Sequence, residues 1–346
     1  MSNNDQNTRV VLASRPDGAA RVENLRVESA EKPAAGDGEV LLRTIFLSLD
    51  PFMFGRMSAS KNYAASVEID GVMVGNSVCQ VEESNHADFE VGEWVVAPTG
   101  WQSYLVSNGE GLRKLGKDPE NPSYAVGILG MPGFTGYIGL MEIGKPKQGE
   151  TVVMAAATGP VGSTVGQVAK IKGCRVVGIA GGAEKCQHAK DVLGFDDCID
   201  HRADDFAEQL TAACPDGIDV YFENVGGKVF DAVEPLLNTG ARIPVCGLMS
   251  FYGGLAGASG PDRRPQFMRT VLVKQLQIQG FVALQNFGEH MNDFRGQMAE
   301  WLADDKVQYR ENRVQGLENA PEAFIGLLHG SNFGKVVVEV NDPLQV

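Results

Sequence analysis

Three glycines lead into a predicted helix in the stretch AAATGPVGSTVGQVAKIKG, at Gly159, Gly162 and Gly166. A strand, then glycines, then a helix is the context of a phosphate-binding turn, because bare backbone approaches the phosphate closely and the helix N-terminus favours negative charge. The spacing G-x-x-G-x-x-x-G differs from the G-x-G-x-x-G of the common dinucleotide fingerprint. We expect Gly159 and Gly162 to hold a dinucleotide pyrophosphate, and Gly166 to let the helix pack closely on the strand.

The end of the next predicted strand bears on the choice between NAD and NADP. An NAD site needs an acidic side chain about 20 residues after the first glycine, where it holds the ribose hydroxyls. Ala180, Gly181 and Gly182 occupy that place, and Lys185 follows one turn later. A lysine suits the 2′-phosphate of NADPH, although Glu184 beside it has the opposite charge. An ordinary solvent-exposed helix lysine is the alternative, but the pattern as a whole favours NADPH.

Residues that would supply other kinds of reduction chemistry are missing. A catalytic zinc needs cysteine and histidine ligands, and a structural zinc needs four closely spaced cysteines. The first 128 residues contain only Cys79 and His86 of these two types, and the chain has no Y-x-x-x-K pair. We therefore expect no metal, and direct carbonyl reduction would have weak electrophilic help. Reduction of an activated C=C bond is favoured, because hydride adds to the β-carbon while the carbonyl oxygen carries the charge as an enolate.

The elements around these residues divide into two patterns. From residue 151 to about 305, strands alternate with helices, beginning with the strand TVVMAAA and the helix VGSTVGQVAKI. This alternation predicts an α/β domain with a doubly wound parallel sheet of the Rossmann type. The first 128 residues are β-rich, and the strand FGKVVVEV near the C-terminus is expected to pair back with them. The predicted domains are residues 1–128 with 312–346, and residues 129–311.

The composition excludes several classes of protein. The net charge of the 346 residues is −14, which disfavours nucleic acid and anionic membranes as partners. No stretch approaches the ~18 apolar residues of a membrane span, and the N-terminus MSNNDQNTRVVLASR lacks the apolar region of a secretory signal. The six cysteines are scattered without a C-x-x-C pair, which is typical of free thiols in a reducing compartment. We expect a cytoplasmic protein.

Several stretches in order along the whole chain resemble one known family. They are LSLDPFMFGRM, GMPGFTGYIGL, AAATGPVGSTVGQVAK, GIAGGAEK, FENVGGKVFDAV, IPVCGLMSFY, QGF and ENAPEAFIGLLHGSNFGK. The chain resembles the zinc-independent medium-chain dehydrogenase/reductases, in their prostaglandin and alkenal reductase branch, and within it the bacterial NADPH-dependent curcumin/dihydrocurcumin reductases. The resemblance implies a Rossmann domain that binds NADPH and a β-rich domain of the GroES-like fold.

The resemblance also implies which residues contact NADPH. Carried over onto the matching positions, they are Gly159, Pro160, Val161, Gly162, Lys185, His201, Asn224, Cys246, Gly247, Ser250, Phe281, Val282 and Asn332. Asn224 follows a predicted strand, at the edge where an open α/β sheet binds its ligands. His201 is a departure, because many relatives have tyrosine there. A protonated imidazole would still serve a phosphate.

For catalysis, the family pattern implies hydride transfer from the nicotinamide, with Tyr252 and the ribose hydroxyl stabilising the enolate oxygen. A phenol of pKa ~10 is a suitable hydrogen-bond donor and would supply the final proton. The alternative is that Tyr252 only packs on the substrate. Phe52, Phe54, Tyr63 and Phe251 are expected to line a broad apolar slot, and ordinary core packing is the alternative for each phenylalanine. DPFMF in place of the DPYMR of many relatives suits a flat aromatic substrate.

Three functions remain open from the sequence. The leading hypothesis is NADPH-dependent reduction of the C=C bond of α,β-unsaturated ketones and aldehydes, including curcumin and dihydrocurcumin. The second is quinone reduction with the same cofactor, and the third is a non-catalytic NADPH-binding protein. The family resemblance favours a homodimer. Whether the glycine-rich run at 253–265 closes over the site is left open.

Overall fold

The computed structural model describes residues 6–59, 62–252 and 263–345. The strands of these residues are β1 (Gln6–Leu12), β2 (Leu25–Glu31), β3 (Val40–Ser48), β4 (Ser77–Ser84), β5 (Trp94–Ala97), β6 (Tyr104–Ser107), β7 (Arg113–Gly116), β8 (Thr151–Ala155), β9 (Arg175–Ala180), β10 (Asp197–Asp200), β11 (Ile218–Phe222), β12 (Leu237–Val245), β13 (Gln277–Gly280), β14 (Glu311–Gln315) and β15 (Lys335–Glu339). The helices are α1 (Phe52–Met57), α2 (Met131–Ile138), α3 (Pro160–Ile171), α4 (Ala183–Asp191), α5 (Phe206–Ala213), α6 (Gly227–Val233), α7 (Arg264–Lys274), α8 (Ala283–Phe287), α9 (Met291–Ala303) and α10 (Ala320–Leu328).

The chain forms two compact units. One contains the described residues up to Gly127 together with those from Glu311 onward, and the other is Ile128–Arg310. The first unit holds a sheet in the order β14-β15-β3-β4-β5-β7, with β6 also paired to β3, and a separate β1-β2 ribbon. The predicted return of the strand FGKVVVEV is confirmed, because β15 pairs antiparallel with β3.

Strand alternation and one buried ion pair account for the packing of the first unit. The apolar faces of β1, β3 and β15 and of α10 meet in one core, where Trp101 and Phe324 pack edge to face at 5.5 Å between ring centroids. Lys335 at the start of β15 is 1% exposed and pairs with Asp50 at 2.9 Å. Lys335 Nζ also donates to the Leu49 carbonyl at 2.6 Å. This cation therefore ties β15 to the segment that leads into α1.

The second unit is built on a six-stranded parallel sheet in the order β10-β9-β8-β11-β12-β13. Its central strand β8 is buried at every residue, as expected for a strand covered on both faces. The chain winds outward from β8 in one direction and then from β11 in the other. The carboxyl ends of β8 and β11 therefore form the crevice in which doubly wound sheets bind ligands. The predicted Rossmann-type sheet is confirmed.

Other features of the second unit were not predicted. α2 continues directly into one turn of π-helix at Gly139–Gly144. A Cβ atom at Gly139 would lie 2.4 Å from Phe281 Cζ, so the missing side chain admits that ring. Part of the loose run predicted at 253–265 is the start of α7, and positions 253–262 of that run lie outside the described residues. Within the described ranges, the helices are all too short or too polar to cross a lipid bilayer.

Candidate cofactor and active site

The glycine turn joins β8 to α3 and is shaped by close backbone contacts. Gly159 precedes the first residue of α3, and its amide donates to the Ala156 carbonyl at 3.0 Å. A Cβ atom at Gly162 would lie only 2.4 Å from the same carbonyl oxygen, so any other residue there would displace the turn. Pro160 fits the first helical position because its missing N–H would have no partner in the helix. The turn thus presents the helix N-terminus without side chains, as a pyrophosphate requires.

Gly166 has a different neighbour from the one expected. A Cβ atom at this position would lie 2.0 Å from Cζ of Phe195, which is 4% exposed. The glycine therefore makes room for the Phe195 ring, which lies between α4 and β10 in the chain. This ring is a neighbour that the sequence did not predict. A tertiary contact of this kind leaves no signal in the local sequence.

A second group of residues lies at the carboxyl end of β9, where the chain turns through Gly181 and Gly182. Gly182 has a φ of +101°, a conformation that side-chain-bearing residues rarely adopt. A Cβ atom at Gly181 would lie 3.0 Å from both His201 Nε2 and Arg202 Nε. The two side chains that follow β10 therefore lie directly against the bare backbone of this turn, which precedes Lys185 in α4.

Like charges meet here, in what we call the cationic pocket (Lys185, His201, Arg202 and Lys228). Burial lowers the pKa of Lys185, and the nearby Arg202 lowers it further. Burial also lowers the pKa of His201, and Lys228 and Arg202 add to this effect. These shifts describe the protein without a ligand. An anion placed among the cations would favour the protonated form of each group and so oppose both shifts.

One unsatisfied atom supports an anionic ligand in the cationic pocket. Nδ1 of His201 is buried and has no hydrogen-bond partner among the described residues. Buried polar atoms in folded proteins nearly always have a partner, so an exception needs a reason. A phosphate oxygen would accept from this nitrogen once it is protonated, and the surrounding cations favour a dianion. The residues present therefore fit the 2′-phosphate of NADPH, as the glycine turn fits the pyrophosphate.

Arg202 and Lys228 were missed in the sequence analysis. Arg202 directly follows His201, and Lys228 lies in the first turn of α6, immediately after two glycines of positive φ. Neither belongs to the strand–glycine–helix pattern from which the cofactor site was predicted. The available signal was the position of His201 at the end of a predicted strand. An adjacent arginine at that edge of a parallel sheet would point to the same ligand.

Two loops at the ends of β11 and β12 carry Asn224 and Cys246, which were predicted to contact the cofactor. Asn224 is 6% exposed, and its side-chain amide donates to the Ala155 carbonyl at 2.9 Å, at the end of β8. The amides of Cys246 and Gly247 both donate to the Glu223 carbonyl. Burial, with a smaller contribution from the Glu223 carboxylate, raises the pKa of Cys246 to about 12. This thiol is therefore neutral at physiological pH.

The Cys246 loop continues as one turn of 3-10 helix, Met249–Phe251, and then reaches Tyr252. Ser250 donates to the Val225 carbonyl through its amide at 2.9 Å and through its hydroxyl at 2.5 Å. Phe251 and Tyr252 are half-buried. Near the other edge of the sheet, Phe281 packs edge to face on Phe222 with 6.2 Å between centroids, and Val282 follows it before α8.

The remaining predicted residues lie in the first unit. Phe52 and Phe54 are the first and third residues of α1, and both are half-buried against the core of that unit. Core contact, which was the alternative for these phenylalanines, thus accounts for part of their surface. Tyr63 is 53% exposed. Asn332 donates through its side chain to the Gly334 carbonyl at 2.8 Å, which leaves its side-chain oxygen out of that bond.

Two protein families match separate parts of the chain, one in its β-rich part and one in the part where strands and helices alternate. Residues 8–115 match the family described as the N-terminal domain of oxidoreductase, and residues 160–304 match the family described as zinc-binding dehydrogenase. Within the described parts of the chain, no three His, Cys, Asp or Glu side chains come together as a metal site. Cys79 is fully buried in β4, and His86 packs on Phe89 in the following loop. These donors do not fit a zinc ion.

Individual relatives match nearly the whole chain. The NADPH-dependent curcumin reductase of Escherichia coli K12 is 60% identical over 335 residues, covering 97% of both chains. The structure of CurA from Vibrio vulnificus in complex with NADPH is 62% identical, has a TM-score of 0.94 and covers 97% of this chain and 100% of that one. Prostaglandin reductase 1 of Bos taurus is 39% identical and covers 91% of this chain and 94% of its own. The chain belongs to the medium-chain dehydrogenase/reductases, in the zinc-independent branch that contains the curcumin and prostaglandin reductases.

Proposed function

We propose that this protein reduces the C=C bond of α,β-unsaturated ketones and aldehydes with NADPH, and that curcumin and dihydrocurcumin are among its substrates. The observation that carries the proposal is the cationic pocket at the end of β9, where Nδ1 of His201 is buried without a partner. A site for the 2′-phosphate distinguishes NADPH from NADH. Membership of the curcumin and prostaglandin reductase branch supports the reaction class.

The roles of the individual residues are proposed from the family resemblance. NADPH, when bound, supplies the hydride. The backbone of Gly159–Gly162 is proposed to hold the pyrophosphate, Lys185 and the other cations the 2′-phosphate, and Asn224 and the Cys246 loop other parts of the cofactor. Phe281, Val282 and Asn332 are proposed as further cofactor contacts, and Phe52, Phe54, Tyr63 and Phe251 as substrate contacts.

Tyr252 is proposed as the catalytic residue. Its phenol donates a hydrogen bond to the enolate oxygen, which is charged only after hydride has reached the β-carbon, and it then supplies the proton. Loss of an interaction that is made only in the transition state lowers the turnover number more than it changes substrate binding. Tyr252→Phe should therefore reduce kcat about 10–100-fold with little change in KM. If KM rose and kcat did not fall, Tyr252 would be a packing residue.

One assay tests the reaction. Oxidation of NADPH is followed with curcumin, a simple aliphatic enal and a quinone in parallel, and each reaction is repeated with NADH. We expect turnover of curcumin and the enal with NADPH, and products that retain their carbonyl groups. Turnover of the quinone alone would replace the proposed reaction by quinone reduction. Saturable NADPH binding without turnover of any acceptor would make the protein a non-catalytic NADPH-binding protein.

We further propose a homodimer formed through β13 and α7. β13 is at the edge of the six-stranded sheet, and all four of its residues are exposed. The adjacent α7 exposes Met268, Leu272 and Val273 at 62%, 77% and 62%. An open strand edge beside exposed apolar side chains supports pairing with a second copy across a twofold axis.

The dimer is tested by solution mass. Leu272→Glu places a charge in the proposed interface, so its mass in sedimentation equilibrium should fall from that of a dimer to that of a monomer. Val192→Glu is the matched control, because Val192 is 46% exposed at the end of α4, outside the proposed interface. This variant should remain dimeric. A wild-type protein that sediments as a monomer would contradict the proposal.

For location we propose the cytoplasm, with small molecules as the substrates and neither nucleic acid nor membrane as a partner. All six cysteines are free thiols in the structure, which suits a reducing compartment. The net charge of −14 supports the absence of polyanionic partners. Cell fractionation followed by immunodetection tests the location, and recovery with membranes would contradict it.

A further inference from the structure

Glu223 is a buried carboxylate with no role in the proposed reaction. It lies directly after β11 and is 2% exposed. One of its oxygens, Oε1, accepts three hydrogen bonds: from the Val225 amide at 2.6 Å, the Gly226 amide at 2.8 Å and the Tyr221 hydroxyl at 3.1 Å. These three hydrogen bonds hold the Val225 and Gly226 amides and the Tyr221 hydroxyl in place, because a buried donor that loses its partner is destabilising.

The segment held by this oxygen is a turn with an unusual backbone. Gly226 and Gly227 have φ values of 72° and 58°, so the two glycines adopt left-handed conformations before α6. Such a turn leaves its amides pointing inward, where a side-chain oxygen must satisfy them. The same turn contains Asn224, whose side chain reaches the end of β8. The carboxylate therefore determines the path of the chain at the switch point of the sheet.

The Asn224–Gly227 turn supports the segment that ends at Tyr252. The Met249 amide donates to the Asn224 carbonyl at 3.1 Å, and Ser250 donates to the Val225 carbonyl. A Cβ atom at Gly226 would lie 3.0 Å from Cε2 of Phe251, so the two loops are in close contact. Within the described residues, these hydrogen bonds and the Phe251 contact thus connect the Glu223 side chain to the Met249–Tyr252 segment.

We propose that Glu223 is a positioning residue for catalysis: its Oε1 fixes the Asn224–Gly227 turn, and this turn sets the position of the Met249–Tyr252 segment and so of the Tyr252 phenol. The inference rests on the proposed function of Tyr252. Glu223 acts through the other residues and contacts neither substrate nor cofactor. In this role the side chain at position 223 must place an acceptor oxygen where Oε1 now lies, and it does not need a negative charge.

The electrostatics of Glu223 agree with a role for its acceptor oxygen and not for its charge. Burial raises the pKa of Glu223, while the amides of Val225 and Gly226 and the Tyr221 hydroxyl act in the opposite direction. A glutamine carries the same Oε1 on a side chain of the same length, and it needs no compensation for a buried charge. Glu223→Gln should therefore keep the turn, whereas Glu223→Asp withdraws the oxygen by one methylene and Glu223→Leu removes it.

The experiment compares these three variants in enone turnover and in binding of adenosine 2′,5′-bisphosphate. We expect Glu223→Gln to stay within about twofold of the wild-type kcat, and Glu223→Asp and Glu223→Leu to lose about 10–100-fold, as for a misplaced catalytic group. Binding of the bisphosphate should weaken less than kcat falls, because only Lys228 of the cationic pocket follows the displaced turn, whereas Lys185, His201 and Arg202 follow β9 and β10. Glu223→Asp keeps the inference testable if the leucine variant does not fold.

A second readout does not depend on turnover. Hydrogen exchange at the amides of Val225, Gly226, Met249 and Ser250 should be slow in the wild type and in Glu223→Gln, and faster in Glu223→Asp. Equal losses of kcat in Gln and Asp variants would show that the charge matters and would overturn the inference. Unchanged exchange in Glu223→Asp would overturn it as well. If the wild type reduces no enone, the proposed function fails, while the exchange pattern still reports on the turn.

Discussion

The two phosphate subsites of this protein are built from different materials. The glycine turn between β8 and α3 is made of backbone, and its geometry depends on side chains that are absent, as at Gly162. The cationic pocket is made of side chains from three separate parts of the chain: α4, the residues after β10, and α6. In the proposed assignment, the glycine turn recognises the pyrophosphate, which NADH and NADPH share, and the cationic pocket recognises the 2′-phosphate, which distinguishes them. The residues of the glycine turn are therefore close together in the sequence, whereas the residues of the cationic pocket are far apart in it.

The difference also shows in the electrostatics. A turn of neutral amides is stable with or without its ligand, whereas the cationic pocket collects charges that repel one another. Burial lowers the pKa of both Lys185 and His201, and the neighbouring cations lower both pKa values further. We expect a steric change in the glycine turn to weaken the binding of NADPH and NADH alike. Loss of a charge in the cationic pocket should weaken the binding of NADPH only.

The largest effect is expected from Gly162→Ala. Its Cβ would lie 2.4 Å from the Ala156 carbonyl oxygen and 2.8 Å from the Ala157 Cα, so the turn must move. The dissociation constants of NADPH and NADH, measured by titration calorimetry, should both rise at least about 100-fold, because misplacement of this order has such a cost.

Gly296→Ala is the control for that change. Gly296 lies within α9, and a Cβ atom there meets nothing within 4 Å. It should leave both dissociation constants unchanged and stabilise the helix by about 0.5–1 kcal/mol. A Gly162→Ala protein that loses NADPH but keeps NADH would break the distinction between the shared and the selective subsite.

Lys185→Ala should have the next largest effect. Removing a charged hydrogen-bond donor costs about 1.5–3 kcal/mol, so the KM for NADPH should rise about 10–100-fold. The KM for NADH should stay within about twofold, because NADH has no 2′-phosphate. Steady-state kinetics with both cofactors measures the change. Equal effects on the two would remove Lys185 from the 2′-phosphate site.

Arg202→Gln should weaken NADPH binding about tenfold, since Arg202 is exposed and its interaction with a phosphate is partly screened. Lys172→Gln makes the same change of charge at the exposed end of α3 and should have no effect at equal ionic strength. The dissociation constants are compared for adenosine 2′,5′-bisphosphate and adenosine 5′-monophosphate. Equal losses in the two variants would mean that only the overall charge matters.

The smallest effect is a change in the pKa of His201. Burial, Lys228 and Arg202 lower this pKa in the free protein, and a dianionic phosphate beside the imidazole favours its protonated form. The pKa of His201 should therefore rise when adenosine 2′,5′-bisphosphate binds. Proton NMR of the imidazole measures it directly, with adenosine 5′-monophosphate as the control ligand.

The same linkage sets the sign of a pH effect on binding. Because the bound form takes up a proton, the contribution of His201 to NADPH affinity grows as the pH falls from above its bound pKa towards its free pKa. His201→Asn should remove that contribution. An imidazole pKa that stays constant on binding would place the phosphate away from His201.

Much of the second unit was predictable because parallel strands are continuous apolar runs, as in β8, and because glycine patterns report on backbone. What could not be predicted depended on contacts between distant segments. Arg202 and Lys228 meet Lys185 and His201 only after β10 has paired with β9. The ring of Phe195 opposite Gly166 is of the same kind. α7 was missed because Met268, Leu272 and Val273 are exposed while Phe267 and Val271 pack inward, so its apolar residues do not form the single face by which a helical pattern is normally recognised.

The pairing of β15 with β3 has a consequence for how the protein is made. Lys335 Nζ reaches the carbonyl of Leu49, 286 residues earlier in the chain, so during synthesis the Phe46–Ser48 part of β3 must wait for its neighbour. Residues 128–310 are contiguous and have all their own strands by then. All strands of the Rossmann unit are therefore synthesised before β15. Until β15 follows, Asp50 lacks its buried cation and β3 has an open edge, which is the kind of edge that can pair with another chain.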